Sequence, residues 1–262
     1  MAFNLLLITF IDLFGRKGLA REKLNRGLLL SGGLFIILLF TIQLSIFSRL
    51  FFPAASFSIG NIDLTSFFII IIYLLTTRMI FTYGKTEATS AENSTNSEYA
   101  HTTLGKSFSL YGLSVLLVLA GGVLLAETSN RIAIETGIGQ TFVGSTLAGI
   151  TTSLPELVVA FTAVRLGIPE MVVGNVLGAN LFNLIIVALC DFLYTREILL
   201  KSIDPNHAIT IVIVVFMTGI VLLGQYHQVK KRVLRLGWDS LSLFFFYITG
   251  LIFLYTSTHN LQ

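Results

Sequence analysis

Apolar runs of spanning length occur at 27–49, 64–83, 107–128, 139–164, 169–190, 206–224 and 238–256. Their length, without alternation of polar and apolar positions, argues against a β-barrel and predicts seven transmembrane helices. An eighth apolar stretch, Ala2 to Phe14, would rise only about 20 Å as a helix. That is too short for a hydrocarbon core of about 30 Å. It also lacks the basic start and small-residue cleavage site of a signal peptide. The pattern therefore predicts an all-α polytopic membrane protein with about seven transmembrane helices. The N-terminal stub reads as the tail of a helix whose beginning is missing.

Composition agrees. Of 262 residues, 54% are hydrophobic and 12% charged, roughly half the charge of a soluble domain. Soluble, disordered, collagen-like and disulfide-framework classes are excluded. The net charge of +3 lies in loops between the apolar runs, where it reads as a topology signal rather than a nucleic-acid surface. If all seven runs span, 13 of the 17 basic residues fall on one side, including Arg16, Lys17, Arg21, Lys23 and Arg26. Arg49, Arg131, Arg196 and Lys201 fall on the other. The imbalance assigns the first side to the cytoplasm and the C-terminus to the outside. Cys190 is the only cysteine, so neither a disulfide nor a thiolate metal site can form within one chain. No HExxH pattern is present, which argues against a membrane zinc protease.

Residues 85–106 are polar, Ser/Thr-rich and without apolar periodicity, and are expected to be a flexible cytoplasmic linker. A faint internal repeat is also visible. Phe3-Asn4-Leu5 with Asp12 matches Phe182-Asn183-Leu184 with Asp191 at a constant offset. At that offset the span starting near Gly27 meets the one starting near Asn206. The copies lie five spans apart, an odd number, so they must face opposite ways. Inverted repeats of this kind are a transporter signature. Three domains are expected: 1–84 as a remnant of a first repeat, the linker at 85–106, and 107–262 as a complete second repeat.

Among the 14 acidic residues, Glu156 alone sits mid-span. A carboxylate there costs about 3 kcal/mol and ordinarily faces a polar cavity or a partner. No Lys or Arg lies at similar depth. The bland alternative is a protonated Glu bonded to a neighbouring helix. Its segment reads Gly149-Ile150-Thr151-Thr152-Ser153-Leu154-Pro155-Glu156. Pro155 removes a backbone donor and frees upstream carbonyls, which at membrane depth must line a cavity or find another partner. Thr152, Ser153 and Glu156 share a helix face. Together they offer hydroxyls, a carboxylate and carbonyls, an all-oxygen set suited to Na+ or Ca2+. Hydroxyl bonding back to the same helix is the plain alternative for Thr and Ser. The next span carries Asn175, Asn180 and Asn183, with Gly174 and Gly178 offering a small surface for close helix approach. A short turn through Gly167 and Pro169 makes the two spans a hairpin. Helix breaks or a sharp kink are expected within 150–156 and around 175–180.

These two segments resemble the α-repeat of the cation/calcium exchanger superfamily, the sodium/calcium exchangers and their relatives. That pattern is roughly A-x-G-T-S-x-P-E-L followed by G-N-x-x-G-S-N-x-x-N. Thr152, Ser153, Pro155, Glu156 and Leu157 match its first part. Gly174, Asn175, Gly178, Asn180 and Asn183 match its second. Thr151 stands where the pattern has Gly, and Gly149 where it has Ala. Ala179 stands where it has Ser, which removes one expected Na+ ligand. The resemblance implies ten helices in two inverted sets of five, a transporter bundle of which residues 139–194 are the second α-repeat. It implies an ion site formed by Glu156, Thr152, Ser153, Asn183, Asn175, Asn180 and Gly149, with Asn4 in the place of Asn183 in the first copy. No first-copy P-E-L segment occurs in the sequence, so half of the site would come from a second chain or from further N-terminal helices.

The expected function is secondary antiport of Ca2+, or another cation, against Na+ or H+ in the plasma membrane. No cofactor, enzyme activity or nucleic-acid partner is expected; the partners are cations and the lipid bilayer. A truncated, non-transporting half-exchanger or subunit is the alternative. A channel is disfavoured because no charged ring or filter loop is visible. An intramembrane enzyme is disfavoured because Ser153 has no base at its depth.

Overall fold

A computed structural model of the chain describes residues 1–14, 26–52, 58–88, 104–138, 140–166, 170–227, 232–233 and 236–259. Helices occupy all seven apolar runs and the N-terminal stub, because a backbone at membrane depth must satisfy its own hydrogen bonds. In chain order these are α1 (Ala2–Phe14), α2 (Arg26–Phe51), α3 (Leu64–Ala88) and α4 (Leu104–Thr136). The apolar run at 139–164 is a broken helix: α5 (Gln140–Val143), a π-helical turn (Gly144–Ala148), α6 (Gly149–Thr152) and α7 (Leu154–Leu166). Then follow α8 (Glu170–Leu193), a 3-10 turn (Leu199–Lys201), α9 (Asn206–His227) and α10 (Trp238–His259).

Five of these, Gly27–Arg49, Ser107–Thr136, Met171–Leu193, Asn206–Tyr226 and Trp238–Ser257, are long and apolar enough to cross a bilayer. Gln140–Thr152 with Leu154–Leu166 qualifies as one span bent by 44°. The described apolar part of α3, Leu64–Met79, is shorter. The expected linker is narrower than 85–106: α3 continues to Ala88 and α4 begins at Leu104. Residues 89–103 and the basic segment 15–25 lie outside the described residues.

Although too short to span, α1 sits at the centre of the packing. Leu5, Leu7, Ile8 and Ile11 are buried, and the helix touches α7, α8, α9 and α10. α2 packs on α3, α8 and α9, extending the same apolar core through Phe35, Leu38 and Leu39. Outward-facing side chains are mostly apolar too, among them Phe40, Leu44, Phe68, Phe245 and Phe253. That is what a lipid-facing surface demands. α4 stands apart, lying against α5 and the π-helical turn. Ala133 alone is buried among its described side chains.

The sequence pattern did not disclose two miniature antiparallel hairpins. β1 (Ser58–Ile59) pairs with β2 (Ile62–Asp63) directly before α3, and β3 (Arg232–Val233) with β4 (Leu236–Gly237) directly before α10. Elements of two residues carry no readable period.

Close helix approach is sharpest between α9 and α10. A Cβ at Gly224 would lie 2.8 Å from the Asp239 Cβ, whereas one at Gly250 would meet only the end of the Ile213 side chain, 2.6 Å from Cδ1. A methyl terminus can swing aside; a Cβ moves only with its backbone. Gly224→Ala is therefore expected to cost about 1–3 kcal/mol and Gly250→Ala less, as read from thermal unfolding in detergent. Equal losses would contradict the packing argument.

Candidate ion site

The site forms where the broken helix and α8 meet the start of α1. Pro155 cannot donate, and the helix yields just before it. Ser153 leaves helical geometry (φ −96°, ψ 1°), its N–H bonding the Ile150 carbonyl at 3.1 Å. The expected break within 150–156 is thus present. Upstream, residues 144–148 form a π-helical turn, an irregularity common at functional sites. Nothing in the sequence beyond a Gly at position 144 and another at 149 could have pointed to it.

The expected break around 175–180 is absent: α8 runs unbroken from Glu170 to Leu193. The amides of Asn175 and Asn180 find partners outside α8 instead of competing for their own backbone. Asn175 Nδ2 donates to the main-chain carbonyl of Glu156 at 3.4 Å. Asn4 Nδ2 donates to Asn180 Oδ1 at 3.1 Å, and Asn180 Nδ2 to the Met1 carbonyl at 3.4 Å. Asn4 and Asn180 are buried, while Asn175 and Asn183 are half-buried. Asn180 therefore bridges α8 and α1, and Asn175 ties α8 to α7.

The hydroxyls bond back to carbonyls of their own helix. Ser153 Oγ, which is buried, donates to Gly149 O at 2.7 Å. Thr152 Oγ1 donates to Ala148 O at 2.8 Å and shares Gly149 O at 3.3 Å, and Thr151 Oγ1 donates to Leu147 O at 2.9 Å. The plain reading of these hydroxyls is the one observed, and Thr152 is exposed. A donating hydroxyl keeps its lone pairs, so Ser153 retains oxygen that can face a cation.

Glu156 differs from every neighbour. It is half-buried, and its Oε2 is enclosed without a hydrogen-bond partner. Asn4 Oδ1 is likewise buried without a donor. Enclosed acceptor oxygens lacking donors are costly, and a cation is the partner that satisfies several at once. A cavity of about 660 Å3 approaches this cluster, lined among others by Thr141, Gly144, Ser145, Gly149, Asp204 and His207. Thr141 Oγ1 donates to Asp204 Oδ2 at 2.9 Å across its wall.

Comparison with known proteins places the cluster in context. Residues 106–256 match the family described as Sodium/calcium exchanger protein. The chain is 29% identical over 144 residues to Sodium/calcium exchanger MaX1 of Methanosarcina acetivorans, covering 55% of this chain and 39% of that protein. It is 33% identical over 81 residues to Inner membrane protein YrbG of Escherichia coli, covering 31% and 25%. It is 35% identical over 75 residues to Putative antiporter CaxA of Alkalimonas amylolytica, covering 29% and 24%. The matched part thus spans about two fifths or less of these relatives' length. No solved structure matches the chain.

Proposed function

Because the chain belongs to the sodium/calcium exchanger protein family, we propose that it carries one half of a cation-exchange site, with Glu156 as the charged ligand. It is an integral membrane protein of a transporter family. The reaction proposed is exchange of Ca2+, or another cation, for Na+ or H+ across the plasma membrane. The observation that carries this reading is the enclosed, unpartnered Oε2 of Glu156 beside the Asn4–Asn180 pair. Asn175 supports it by fixing the main chain of Glu156. Gly149 O, Ser153 Oγ, Asn183 and Asn4 Oδ1 are the neutral oxygens assigned to the same site, and the exposed Thr152 is assigned a lesser part. The broken helix supplies the flexible wall: its bend at Ser153 lies beside the ligands, so rocking of one half against the other would alternately open the site.

The second reading, a half-exchanger that must pair with another half before it transports, is favoured by Glu156 being the one carboxylate in the cluster. In either case residues 1–84 are assigned to a first repeat and 107–262 to a second. The test is equilibrium binding of radiolabelled Ca2+ and Na+ to the purified chain in nanodiscs. Mutual competition between the two ions, lost in Glu156→Gln, is expected; binding unaffected by that substitution would refute the assignment.

The proposed orientation has its own check. With the cytoplasmic side set by the basic excess, a cysteine placed at Ser94 in a Cys190→Ser background should escape an impermeant thiol reagent applied to intact cells. It should react once the cells are opened. Labelling from outside would invert the topology.

A further inference from the structure

Of the buried aspartates outside the ion cluster, Asp12 and Asp191 are bonded in the same way. Asp12 Oδ2, near the end of α1, accepts from the Gly237 N–H at 3.0 Å and from Ser240 Oγ at 2.9 Å. Gly237 closes β4, directly before α10, and Ser240 lies in the first turn of α10. Asp191 Oδ2, near the end of α8, accepts from the Asp63 N–H at 2.8 Å and from Ser66 Oγ at 2.6 Å. Asp63 closes β2, directly before α3, and Ser66 lies in the first turn of α3. Asp12 and Asp191 are 179 positions apart; Asp63 and Gly237, and Ser66 and Ser240, are each 174 apart. The short hairpins that lead into α3 and α10 repeat at the same 174 spacing, Ser58↔Asp63 answering to Arg232↔Gly237.

The chemistry is unusual for a carboxylate. A negative side chain at the C-terminal end of its own helix opposes the helix dipole, whereas at the N-terminus of another helix it is favoured. Each aspartate is therefore stabilised by the foreign helix it touches. Both are almost fully enclosed, at 2% and 1% exposure, so loss of those donors would weaken the support of a buried charge. Further bonds join at each junction: Thr9 Oγ1 donates to the Ser240 carbonyl at 3.1 Å, and the Leu199 N–H donates to Asp191 Oδ1 at 3.0 Å. Arg49 and Ser45 further engage Asp63 through its carboxylate.

We propose that Asp12 and Asp191 are a matched pair of positioning residues, crossed latches that hold α1 and α8 in the register at which Asn4 meets Asn180. The connection is continuous. It runs from α10 through Asp12 and α1 to Asn4, then across to Asn180, and through α8 and Asp191 to α3. Asn4 stands eight residues before Asp12 and Asn180 eleven before Asp191, about 12 and 16 Å along the helices. By the order of spans, the two latches sit at opposite faces of the bilayer with the amide pair between them. The frame that carries the amides is thereby fixed at both ends, and the bent α5–α7 helix is left as the wall free to move.

The functional part of this inference rests on the ion-site reading; the mechanical part does not. The test uses the chain in nanodiscs with selectively labelled asparagine, the side-chain amide signals assigned through Asn4→Ser and Asn180→Ser. Without any cation, Asp12→Ala and Asp191→Ala should each raise proton exchange of the Asn4 and Asn180 side-chain amides about tenfold. Asp12→Asn and Asp191→Asn, which keep one acceptor oxygen, should fall between. Should the alanine variants not fold, Ser240→Ala and Ser66→Ala remove one bond from each latch and should shift exchange in the same direction. Phe35→Leu, a core substitution in α2, serves as a control at comparable loss of Tm and should leave both amides unchanged. Unaltered amides in the latch variants, or an equal change in the control, would overturn the proposal and leave the aspartates as general stabilisers. A second arm measures Ca2+ binding, where the latch variants should raise Kd about tenfold. Altered amides in a chain that binds no cation would uphold the latches and refute the ion site.

Discussion

Glu156→Gln is expected to stabilise the ion-free protein while abolishing its response to cations. The enclosed Oε2 of Glu156 has no donor, and an anionic oxygen left so in a low-dielectric setting costs more than an amide of the same shape. Removing it should return about 1–3 kcal/mol. For a chain of this size that is a rise of a few degrees in Tm, at about 2–4 °C per kcal/mol. The Asn175 bond to the Glu156 main chain survives the change, because it uses the carbonyl and not the side chain. Saturating Ca2+ or Na+ should then raise the Tm of the unsubstituted chain, since a ligand bound only to the folded state stabilises by mass action. It should leave the variant where it was. A purely structural Glu156 gives the opposite signature: a loss of Tm on substitution and the same cation response in both proteins. The two readings thus differ in sign, which makes melting curves decisive before any transport is measured.

What the sequence disclosed was set by where the physics is local. Helices over the apolar runs were legible because bilayer crossing requires such runs, although among the described residues five of them, or six with the bent pair, are long and apolar enough to cross. The break near Ser153 was legible because Pro155 removes a donor that nothing local replaces. The packing of α7 on α8 and the approach of Asn175 to the Glu156 main chain followed from their nearness in sequence; the expected turn through Gly167 and Pro169 lies outside the described residues. The second expected break failed for a tertiary reason. Gly174 and Gly178 weaken a helix in isolation, yet α8 is packed on α1, α2, α3 and α7, and its asparagines bond across to α1 and α7. The hydroxyls of Thr152 and Ser153 could be read as ligands or as bonding back to their own helix; the folded geometry shows the back-bonds, which leave the oxygen lone pairs open. The crossed aspartates were visible as a repeat, Asp12 with Asp191. Their partners Gly237, Ser240, Asp63 and Ser66 lie 125 or more residues away in sequence, beyond the reach of any local rule.

The 262 residues by themselves are expected to bind Ca2+ weakly and to exchange it poorly, and supplying a complementary half should restore both. Ca2+ takes six to eight oxygens, ordinarily with more than one carboxylate. Among the described residues the proposed site has one carboxylate, Glu156, with the Gly149 carbonyl, the Ser153 hydroxyl and asparagine oxygens as its proposed neutral ligands. A dication facing a single carboxylate keeps a net positive charge in low dielectric, whereas Na+ is neutralised by the same site. Na+ should therefore outcompete Ca2+ on the chain alone, reversing the preference expected once a second carboxylate is present. The span of about two fifths or less of the matched relatives motivates the complement: helices bearing a second Pro-Glu-Leu segment, joined ahead of Met1 or co-expressed. The measurement is Na+-gradient-driven uptake of radiolabelled Ca2+ into liposomes. It compares the chain, the complemented chain, and Glu156→Gln in each. Uptake is expected to be near background for the first, at least tenfold higher for the second, and absent from both variants. Robust uptake by the chain alone that persists in Glu156→Gln would refute the half-site and the choice of Glu156 together. Uptake by the chain alone that is lost in Glu156→Gln would keep the ligand and discard the need for a partner.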